Sequence, residues 1–384
     1  MIKAEKIYKK QNSFAESGQN SSLLDVLPRI QKVFGNIDSL GFPDSKKSII
    51  RSACEELLGK KEIEDNSLPF TLYSYNIDEI NQLEDEALPR YLYYRYRYDT
   101  FPQRLKLDNF PPCLQIEPSS VCNYRCVFCY QKYDDFTTKS NGFMGTMSYE
   151  LFKSLIDQAE GNCEAVTLSS RGEPLICPDI EKMLEYAAGK FLALKLNTNA
   201  WFLDEEKCHS ILKAGVNILV FSVDAASEPA YSQLRVRGNL ERVYKNIKLF
   251  SEIRSRFYPS SKTITRISGV NFPQSADVAA MKKLWGGIVD QIYKVNYNPL
   301  DFTYKDQIND IADPCSELWL RTFVWWNGVV NPCENDYKST LSVGNAMENS
   351  IEDLWRSEKY MDLRGRHISK RRSKCSPCNQ CHMV

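Results

Sequence analysis

The sequence lacks a net charge, because its 49 basic and 49 acidic residues cancel. No global electric field therefore draws it to nucleic acid or to an anionic membrane. It also lacks an apolar signal core at its start and any run of about 18 apolar residues that could cross a membrane. We therefore expect a soluble, cytoplasmic protein that binds neither nucleic acid nor a membrane. The Tyr- and Arg-rich run at 91–98 is interpreted as a packed helix or strand and not as a nucleic-acid surface.

Cysteine, in contrast, is abundant, with 13 residues in 384. In a reducing compartment, so many thiols are better explained by metal than by disulfides. Five are scattered and are expected to be small buried apolar residues: Cys54, Cys113, Cys163, Cys177 and Cys208. The others form two groups, which are Cys122, Cys126 and Cys129, and then Cys315, Cys333, Cys375, Cys378 and Cys381.

Strand-like and helix-like segments alternate through the middle of the chain. The predicted strands are 113–119, 164–170, 193–199, 217–224, 263–270 and 290–297. Helical patterns lie between them, for example after Ser148 and Asp204, which are typical N-cap residues. Such alternation predicts a parallel sheet with right-handed crossovers, and six units make a partial TIM-like (β/α)6 barrel. We expect a mainly helical extension at 1–110, the barrel at 111–300 and a small domain at 301–384.

The first cysteine group has the spacing C-x3-C-x2-C and directly follows the first predicted strand. Three thiols so close together cannot all pair as disulfides, but one loop can wrap them around an iron–sulfur cluster. Three ligands for a cluster of four irons leave one iron open, which makes that iron a binding position for another molecule. A structural zinc knuckle or three unrelated buried thiols are the alternatives.

This loop resembles that of the radical S-adenosylmethionine (SAM) enzymes, with Phe128 in the aromatic position before the third cysteine. The resemblance implies an α/β partial barrel that holds a 4Fe-4S cluster at Cys122, Cys126 and Cys129. It also implies that the open iron chelates SAM and that an electron from the cluster cleaves SAM to a 5′-deoxyadenosyl radical. A flavodoxin-type or ferredoxin-type donor would supply that electron.

The same resemblance assigns residues to the ends of the later strands, where active residues of parallel barrels gather. The implied SAM-binding residues are Phe128, Gly172, Glu173, Asn197, Asn199, Ser222 and Arg235, with Arg235 favoured over Arg237. Arg171 replaces the family's first glycine, a change that we expect to be tolerated because a backbone carbonyl needs no particular side chain. Asp224 would face the substrate, and Cys177 is a candidate hydrogen-atom donor.

The second cysteine group includes a predicted hairpin that turns at Asn327 and Gly328 and brings Cys315 near Cys333. Cys375 and Cys378 would complete four ligands, and four thiolates alone do not distinguish zinc from a 4Fe-4S cluster. The segment resembles the SPASM/twitch extension of radical SAM enzymes, which implies an auxiliary 4Fe-4S cluster. The full SPASM pattern has seven cysteines. Five suit a single auxiliary cluster, with Cys381 as a spare or substitute ligand.

The resemblance implies an oxidoreductase or epimerase, and we expect a small-molecule substrate. A carbohydrate or nucleotide-activated sugar is favoured, in a role such as carbohydrate biosynthesis, because the chain looks most like single-cluster proteins encoded among polysaccharide and aminoglycoside genes. A peptide-modifying maturase, of the ribosomal-peptide or sulfatase-maturase type, is the alternative. A non-catalytic iron–sulfur or zinc scaffold is a third hypothesis, against which the SAM-pocket residues argue.

Overall fold

The computed structural model describes residues 22–61, 68–272, 278–297, 303–305 and 307–384. The described residues fall into two compact units, of which one ends at Asp108 and the other is Asn109–Val384. Short 3-10 helices occur in both units, at Leu23–Asp25, Ile37–Ser39, Asp85–Ala87, Tyr130–Lys132, Lys139–Asn141, Pro174–Ile176, Arg372–Lys374 and Cys378–Gln380.

The first unit is helical in its described residues. Its α-helices are α1 (Leu27–Gly35), α2 (Asp44–Leu57), α3 (Ser74–Asn81) and α4 (Leu88–Thr100). The run at 91–98 lies within α4, and most of its tyrosine and arginine side chains are buried. Glu56 of α2 and Arg104 form an ion pair at 2.7 Å in which both side chains are buried. The described part of the predicted extension is therefore helical, whereas residues 1–21 and 62–67 of the predicted range 1–110 lie outside the described residues.

The second unit contains the predicted barrel. Its parallel strands are β1 (Cys113–Ile116), β2 (Ala165–Leu168), β3 (Ala193–Thr198), β4 (Ile218–Ser222), β5 (Ile264–Asn271) and β6 (Gln291–Asn296). Each lies within, or one residue beyond, the segment predicted for it. Neighbours in the chain are neighbours in the sheet, as right-handed βα units require. The partial (β/α)6 barrel is therefore confirmed.

The described residues of the barrel contain seven α-helices, two of which begin at the predicted N-cap residues. They are α5 (Asp134–Thr137), α6 (Tyr149–Ala159), α7 (Ile180–Ala187), α8 (Glu205–Lys213), α9 (Glu228–Leu234), α10 (Leu240–Phe257) and α11 (Val278–Trp285). Ser148 caps α6 by accepting a hydrogen bond from Leu151 N, and Asp204 caps α8 by accepting one from Lys207 N. These side chains satisfy amide groups that have no partner within the helix.

The C-terminal segment extends the sheet of the barrel. It contains α12 (Glu317–Leu320), β7 (Arg321–Val324), β8 (Val329–Asn331), β9 (Gly344–Asn345), α13 (Ile351–Trp355) and α14 (Glu358–Ile368). Strand β7 pairs in parallel with β1, and β8 and β9 follow in antiparallel order. The nine described strands thus form one sheet, in the order β6-β5-β4-β3-β2-β1-β7-β8-β9.

The predicted hairpin is present between β7 and β8. Gly328 lies at the turn with φ +81°, a left-handed conformation that glycine adopts without steric cost. The sequence places a domain boundary near residue 300, whereas the strand pairing shows that the segments on both sides of it share one sheet. In the described residues, no helix is long and apolar enough to cross a membrane.

Candidate functional site

The candidate site lies at the carboxyl edge of the barrel strands. The first cysteine loop follows β1, residues 171–173 follow β2, Asn199 follows β3, and Asp224 follows β4. Because the carboxyl ends of parallel strands meet at one edge of the sheet, these segments come together there. Hydrogen bonds between the segments fix this arrangement.

Residues 171–173 hold the start of the cysteine loop. Gln131 Nε2 donates to the carbonyl oxygens of Ser120 and Arg171, at 2.7 Å in each case. Glu173 N donates to Val121 O at 2.9 Å. These bonds tie the backbone just before Cys122 to the turn that follows β2. Gln131 could not be identified from the sequence, since a single glutamine beside a cysteine motif carries no particular signal.

Gly172 is required by this close approach. A Cβ atom at Gly172 would overlap backbone atoms of Ser119, Ser120 and Val121. Glycine is the residue that lets two backbone segments come so near each other. Gly172 therefore has a positioning role toward the cysteine loop, in addition to the SAM contact that the family resemblance implies.

The other side of the cysteine loop is held by the segment after α9. Arg125 N donates to Val236 O, and Val127 N donates to Leu234 O, both at 3.0 Å. These two backbone bonds flank Arg235 and place it directly beside the cysteines.

Arg235 and Asp224 form a buried ion pair next to Cys126. Arg235 Nε donates to Asp224 Oδ2 at 2.6 Å, and Arg235 Nη1 lies 3.9 Å from Cys126 Sγ. The guanidinium carbon lies 5.7 Å from the centre of the Phe128 ring. The second oxygen of Asp224 accepts from Val270 N at 2.6 Å. Asp224 is therefore engaged by Arg235 and β5, whereas the sequence analysis expected it to face the substrate.

The Glu173 carboxylate joins the ends of β2 and β3. It accepts hydrogen bonds from Thr198 Oγ1 at 2.6 Å, Asn199 N at 2.7 Å and Leu175 N at 3.1 Å. Burial raises the pKa of Glu173 to about 7, although these hydrogen bonds oppose the shift. The side chain thus fixes the strand ends around the cysteine loop.

Asn199 reaches the first cysteine. Its Nδ2 donates to Asn123 Oδ1 at 2.9 Å and lies 4.0 Å from Cys122 Sγ. Asn197 lies two residues earlier on β3, and its buried Oδ1 has no hydrogen-bond partner among the described residues. Asn197 pairs with Val220, so that Ser222, two residues further along β4, shares its face of the sheet. The predicted residues at these two strand ends therefore lie close to one another.

Cys177 is not brought to this site. Its Sγ lies 3.7 Å from Met147 O and 3.9 Å from Met183 Sδ of α7, on the helical side of the sheet. Burial raises the pKa of the Cys177 thiol to about 11. Its surroundings are those of a small buried apolar residue, which is what the sequence analysis expects of a scattered cysteine.

A buried ion pair that the sequence analysis missed lies beside the site. Arg171 donates to both carboxylate oxygens of Glu117, from Nε at 2.8 Å and from Nη2 at 2.7 Å. Its Nη1 donates to Tyr337 O at 3.0 Å, and its guanidinium lies over the Trp325 ring at 4.2 Å. The only signal in the sequence was the arginine at the family's glycine position. The structure shows that its side chain joins β1 to the C-terminal segment.

An aromatic cluster also links the two cysteine groups. The rings of Tyr130 and Tyr337 stack with centroids 4.1 Å apart and an interplanar angle of 13°. Phe136 and Tyr304 pack edge-on against Tyr337, and Cys129 packs against the same cluster. Tyr130 follows the last cysteine of the first group, and Tyr337 lies four residues after Cys333. The two groups are therefore held by one packed core.

The second cysteine group surrounds a cavity. The thiol residues that line it are Cys315, Cys333, Cys378 and Cys381. The structure places Cys381, and not Cys375, with the other three. Cys375 N closes the turn Arg372–Lys374, and its thiol turns toward Arg371 O at 3.8 Å. From the sequence, Cys375 and Cys378 were expected to complete the four ligands as a C-x2-C pair, with Cys381 as a spare or substitute ligand.

Buried side chains support the loop that closes this cavity. Arg372 donates to the carbonyl oxygens of Cys381 at 2.7 Å and of Cys378 and Asp313 at 3.2 Å. Asn335 Nδ2 donates to Cys381 Sγ at 3.3 Å. These hydrogen bonds hold the segment that carries Cys378 and Cys381 in place.

Both donor sets fit an iron–sulfur cluster. Burial raises the pKa of the Cys122 and Cys126 thiols above its ordinary value, and that of Cys315 to about 12. Without iron, the protein therefore favours the neutral thiol. The positive charge of bound iron would stabilise the thiolate form, which is the form that coordinates a metal. Within the described part of the chain, no group of three or more His, Cys, Asp or Glu side chains is spaced to hold a single metal ion.

Comparison with family models gives two matches. Residues 116–274 match the model of the radical SAM superfamily, and residues 315–382 match SPASM, an iron–sulfur cluster-binding domain. The first match runs from the end of β1 through β5 and includes the cysteine loop. The second covers the cavity and its four thiol residues.

Two curated relatives each align with more than half of this chain. A tungsten-containing aldehyde ferredoxin oxidoreductase cofactor-modifying protein of Pyrococcus furiosus is 25% identical over 301 residues, which are 64% of this chain and 81% of that protein. An S-adenosyl-L-methionine-dependent 2-deoxy-scyllo-inosamine dehydrogenase of Niallia circulans is 21% identical over 282 residues, which are 72% of this chain and 95% of that protein.

A solved structure shares the fold. SuiB of Streptococcus suis, crystallised with its precursor peptide SuiA, superposes with a TM-score of 0.56 at 18% identity. The match covers 88% of this chain and 82% of that chain. At this identity, the likeness establishes the architecture and nothing about the substrate.

Proposed function

Because the chain is a radical SAM enzyme with a SPASM domain, we propose that it abstracts a hydrogen atom from a small carbohydrate-like molecule and oxidises that molecule. SAM and a 4Fe-4S cluster are the cofactors of the first domain, and the SPASM domain implies auxiliary iron–sulfur binding. The observation that carries the proposal is the convergence of the cysteine loop, Glu173, Asn199 and the Arg235–Asp224 pair at one edge of the barrel.

The first cluster is assigned to Cys122, Cys126 and Cys129. When bound there, the cluster and SAM supply a 5′-deoxyadenosyl radical that removes a hydrogen atom from an unactivated C–H bond. The protein's own task is to orient the target and to exclude water.

Arg235 is assigned to the carboxylate of SAM. Its planar guanidinium suits a carboxylate, because it offers parallel hydrogen bonds in a fixed geometry. Asp224 accepts from Nε and holds the guanidinium beside Cys126, so its assigned role is to position Arg235. Asp224 would then act on the cofactor site and not on the substrate itself.

The remaining predicted residues are assigned to the rest of the SAM pocket. Asn197 and Ser222 share one face at the ends of β3 and β4, where the family resemblance places the ribose of SAM. Glu173 and Gly172 bring the turn after β2 against the cysteine loop. Phe128 contributes its ring beside the guanidinium of Arg235.

The auxiliary 4Fe-4S cluster is assigned to Cys315, Cys333, Cys378 and Cys381. Four thiolates close the coordination of such a cluster, which suits electron transfer better than substrate binding. In a dehydrogenation, a cluster held by these four residues would supply an acceptor for the electron that remains after the substrate has lost a hydrogen atom and a proton. The sum is a two-electron oxidation of the substrate.

Two features favour oxidation of a small molecule. One curated relative is a 2-deoxy-scyllo-inosamine dehydrogenase, and the other is a protein that modifies the cofactor of an oxidoreductase. The thiol of Cys177, the candidate hydrogen-atom donor for an epimerase, lies against α7. A flavodoxin-type or ferredoxin-type protein is assigned as the electron donor.

The test is an anaerobic assay of reconstituted protein with SAM and dithionite. Candidate substrates are 2-deoxy-scyllo-inosamine, UDP-glucose and UDP-N-acetylglucosamine, in deuterated and ordinary forms. The proposal predicts faster 5′-deoxyadenosine formation, deuterium transfer to 5′-deoxyadenosine and a product two hydrogens lighter. Stimulation by a panel of peptides, with none by any sugar or cyclitol, would instead establish the peptide-modifying alternative.

Two variants separate the roles of the clusters in this assay. Cys122→Ala is expected to abolish SAM cleavage, because it removes a ligand of the first cluster. Cys333→Ala is expected to retain slow, uncoupled SAM cleavage and to form no oxidised product. Equal product formation by both variants would contradict the assignment.

A further inference from the structure

His367 of α14 is a buried histidine that the proposed reaction does not use. It has no solvent exposure and lines the cavity formed by Cys315, Cys333, Cys378 and Cys381. One ring nitrogen, Nδ1, lies 3.2 Å from Cys315 N. The other, Nε2, is buried and has no hydrogen-bond partner among the described residues.

The contact with Cys315 fixes the tautomer of His367. A backbone N–H can only donate, so Nδ1 must present its lone pair and accept. The ring is then neutral, and its single proton is on Nε2. The structure therefore contains a buried N–H donor without an acceptor, and buried donors of this kind are rare in folded proteins.

We propose that the Nε2–H of His367 donates a hydrogen bond to a sulfur atom of the auxiliary cluster and raises the reduction potential of that cluster. Reduction adds negative charge, which is shared by the sulfur atoms. A hydrogen bond to sulfur therefore stabilises the reduced cluster more than the oxidised one. This inference rests on the proposed auxiliary site but not on the identity of the substrate.

The cavity already contains a donor of the same kind. Asn335 Nδ2 donates to Cys381 Sγ at 3.3 Å, and the backbone amide of Asn335 donates to Cys333 Sγ at 3.3 Å. The guanidinium of Arg372 is instead committed to backbone carbonyl groups. Among the described residues that line the cavity, His367 is thus a buried side chain whose donor still requires an acceptor.

A purely structural role would use only Nδ1, which accepts from Cys315 N at the start of α12. Two substitutions separate the two nitrogens. His367→Asn keeps an acceptor near the position of Nδ1 and removes the donor at Nε2. His367→Gln reaches the position of Nε2 with an amide donor and removes the Nδ1 acceptor.

The experiment uses the full-length Cys122/Cys126/Cys129→Ala variant as parent, so that only the auxiliary cluster is present. Its midpoint potential is measured by an EPR-monitored redox titration, with iron content determined for each sample. We expect His367→Asn to lower the potential without loss of iron and His367→Gln to restore it towards that of the parent. His209→Asn, a half-buried histidine on α8, is the matched control and is expected to leave the potential unchanged.

A second readout detects the hydrogen bond itself. Electron–nuclear double resonance on the reduced parent should show an exchangeable proton coupled to the cluster, which disappears in His367→Asn. If an iron-loaded His367→Asn variant kept the parent's potential and proton coupling, the role of His367 would be overturned, but the four-cysteine site would stand. A parent that binds no iron would overturn the four-cysteine site, and the role of His367 with it.

Discussion

Arg235 Nε donates to the buried carboxylate of Asp224 at 2.6 Å, while Arg235 Nη1 lies 3.9 Å from Cys126 Sγ. The pair thus places a fixed positive charge directly beside the cysteine loop. A charge in this place supports the proposed contact between Arg235 and the carboxylate of SAM. Both oxygens of Asp224 accept hydrogen bonds, from Arg235 Nε and from Val270 N, which supports the positioning role proposed for it.

Arg235→Lys and Asp224→Asn are expected to weaken SAM binding. Each removes at least one hydrogen bond to a charged group, which corresponds to about 1.5–3 kcal/mol, or roughly 10–100-fold in Kd. Anaerobic equilibrium dialysis with SAM on iron-loaded protein measures the effect.

Arg237→Lys is the matched control, because Arg237 is exposed and lies two residues away. Its Kd for SAM should equal that of the wild type. The assignment of Arg235 would be wrong if Arg237→Lys weakened SAM binding and Arg235→Lys did not.

Gly172→Ala is expected to remove most of the iron from the first site. The added Cβ would overlap the backbone of 119–121 and displace the start of the cysteine loop, and overpacking of this kind costs about 1–3 kcal/mol. Iron content and the EPR signals of the two clusters report the effect separately. Gly365→Ala in α14, where the added Cβ meets no atom within 4 Å apart from its chain neighbours and the adjacent helix backbone, should leave both sites loaded. Full iron occupancy in Gly172→Ala would show that the loop does not need the close approach.

Cys381→Ala and Cys375→Ala should differ in their effect on the auxiliary cluster. Cys381 lines the cavity with the other three thiol residues, whereas the thiol of Cys375 turns toward Arg371 O. In the variant that lacks the first three cysteines, Cys381→Ala should lose the remaining iron, and Cys375→Ala should retain it. The reverse result would restore the ligand set expected from the sequence.

The first unit should lose stability in acid through Glu56. Burial alone would raise the pKa of Glu56, but hydrogen bonds from Arg104, Tyr96 and Phe70 N lower it from 4.5 to about 2. Because the carboxylate is favoured in the folded state, its stabilising contribution is present above pH 4.5 and is lost as the pH falls towards about 2.

Thermal unfolding of the apoprotein as a function of pH checks this expectation. Glu56→Gln should be less stable than the wild type at neutral pH and should lose less stability between pH 4.5 and 2. Asp38→Asn, which changes an exposed partner of Arg51, is the matched control. Parallel pH profiles for the wild type and Glu56→Gln would contradict the origin assigned to the shift.

Much of the barrel could be predicted from the sequence, because its signals are local. The strands are short apolar runs, and Ser148 and Asp204 mark the helix starts that they cap in the structure. The cysteine spacing and the turn at Gly328 are local patterns as well. Each depends on residues within a few positions of one another, so no knowledge of the tertiary packing was needed.

The parts that could not be predicted depend on contacts between distant segments. Arg171 appeared to be a tolerated replacement for glycine, yet its guanidinium binds Glu117, 54 residues away, and Tyr337 O, 166 residues away. The pairing of β7 with β1 and the position of Cys381, rather than Cys375, at the cavity likewise follow from tertiary packing. The spacing of C-x2-C pairs alone does not show which thiol turns inward.

The most direct test of two separate cluster sites is iron and sulfide quantification on anaerobically reconstituted protein. The wild type should bind about eight iron atoms per chain, and the Cys122/Cys126/Cys129→Ala variant about four. A variant with alanine at Cys315, Cys333, Cys378 and Cys381 should also bind about four, so that each site fills without the other. A wild type with only four iron atoms, all lost in the first variant, would contradict the auxiliary cluster and the oxidation that depends on it.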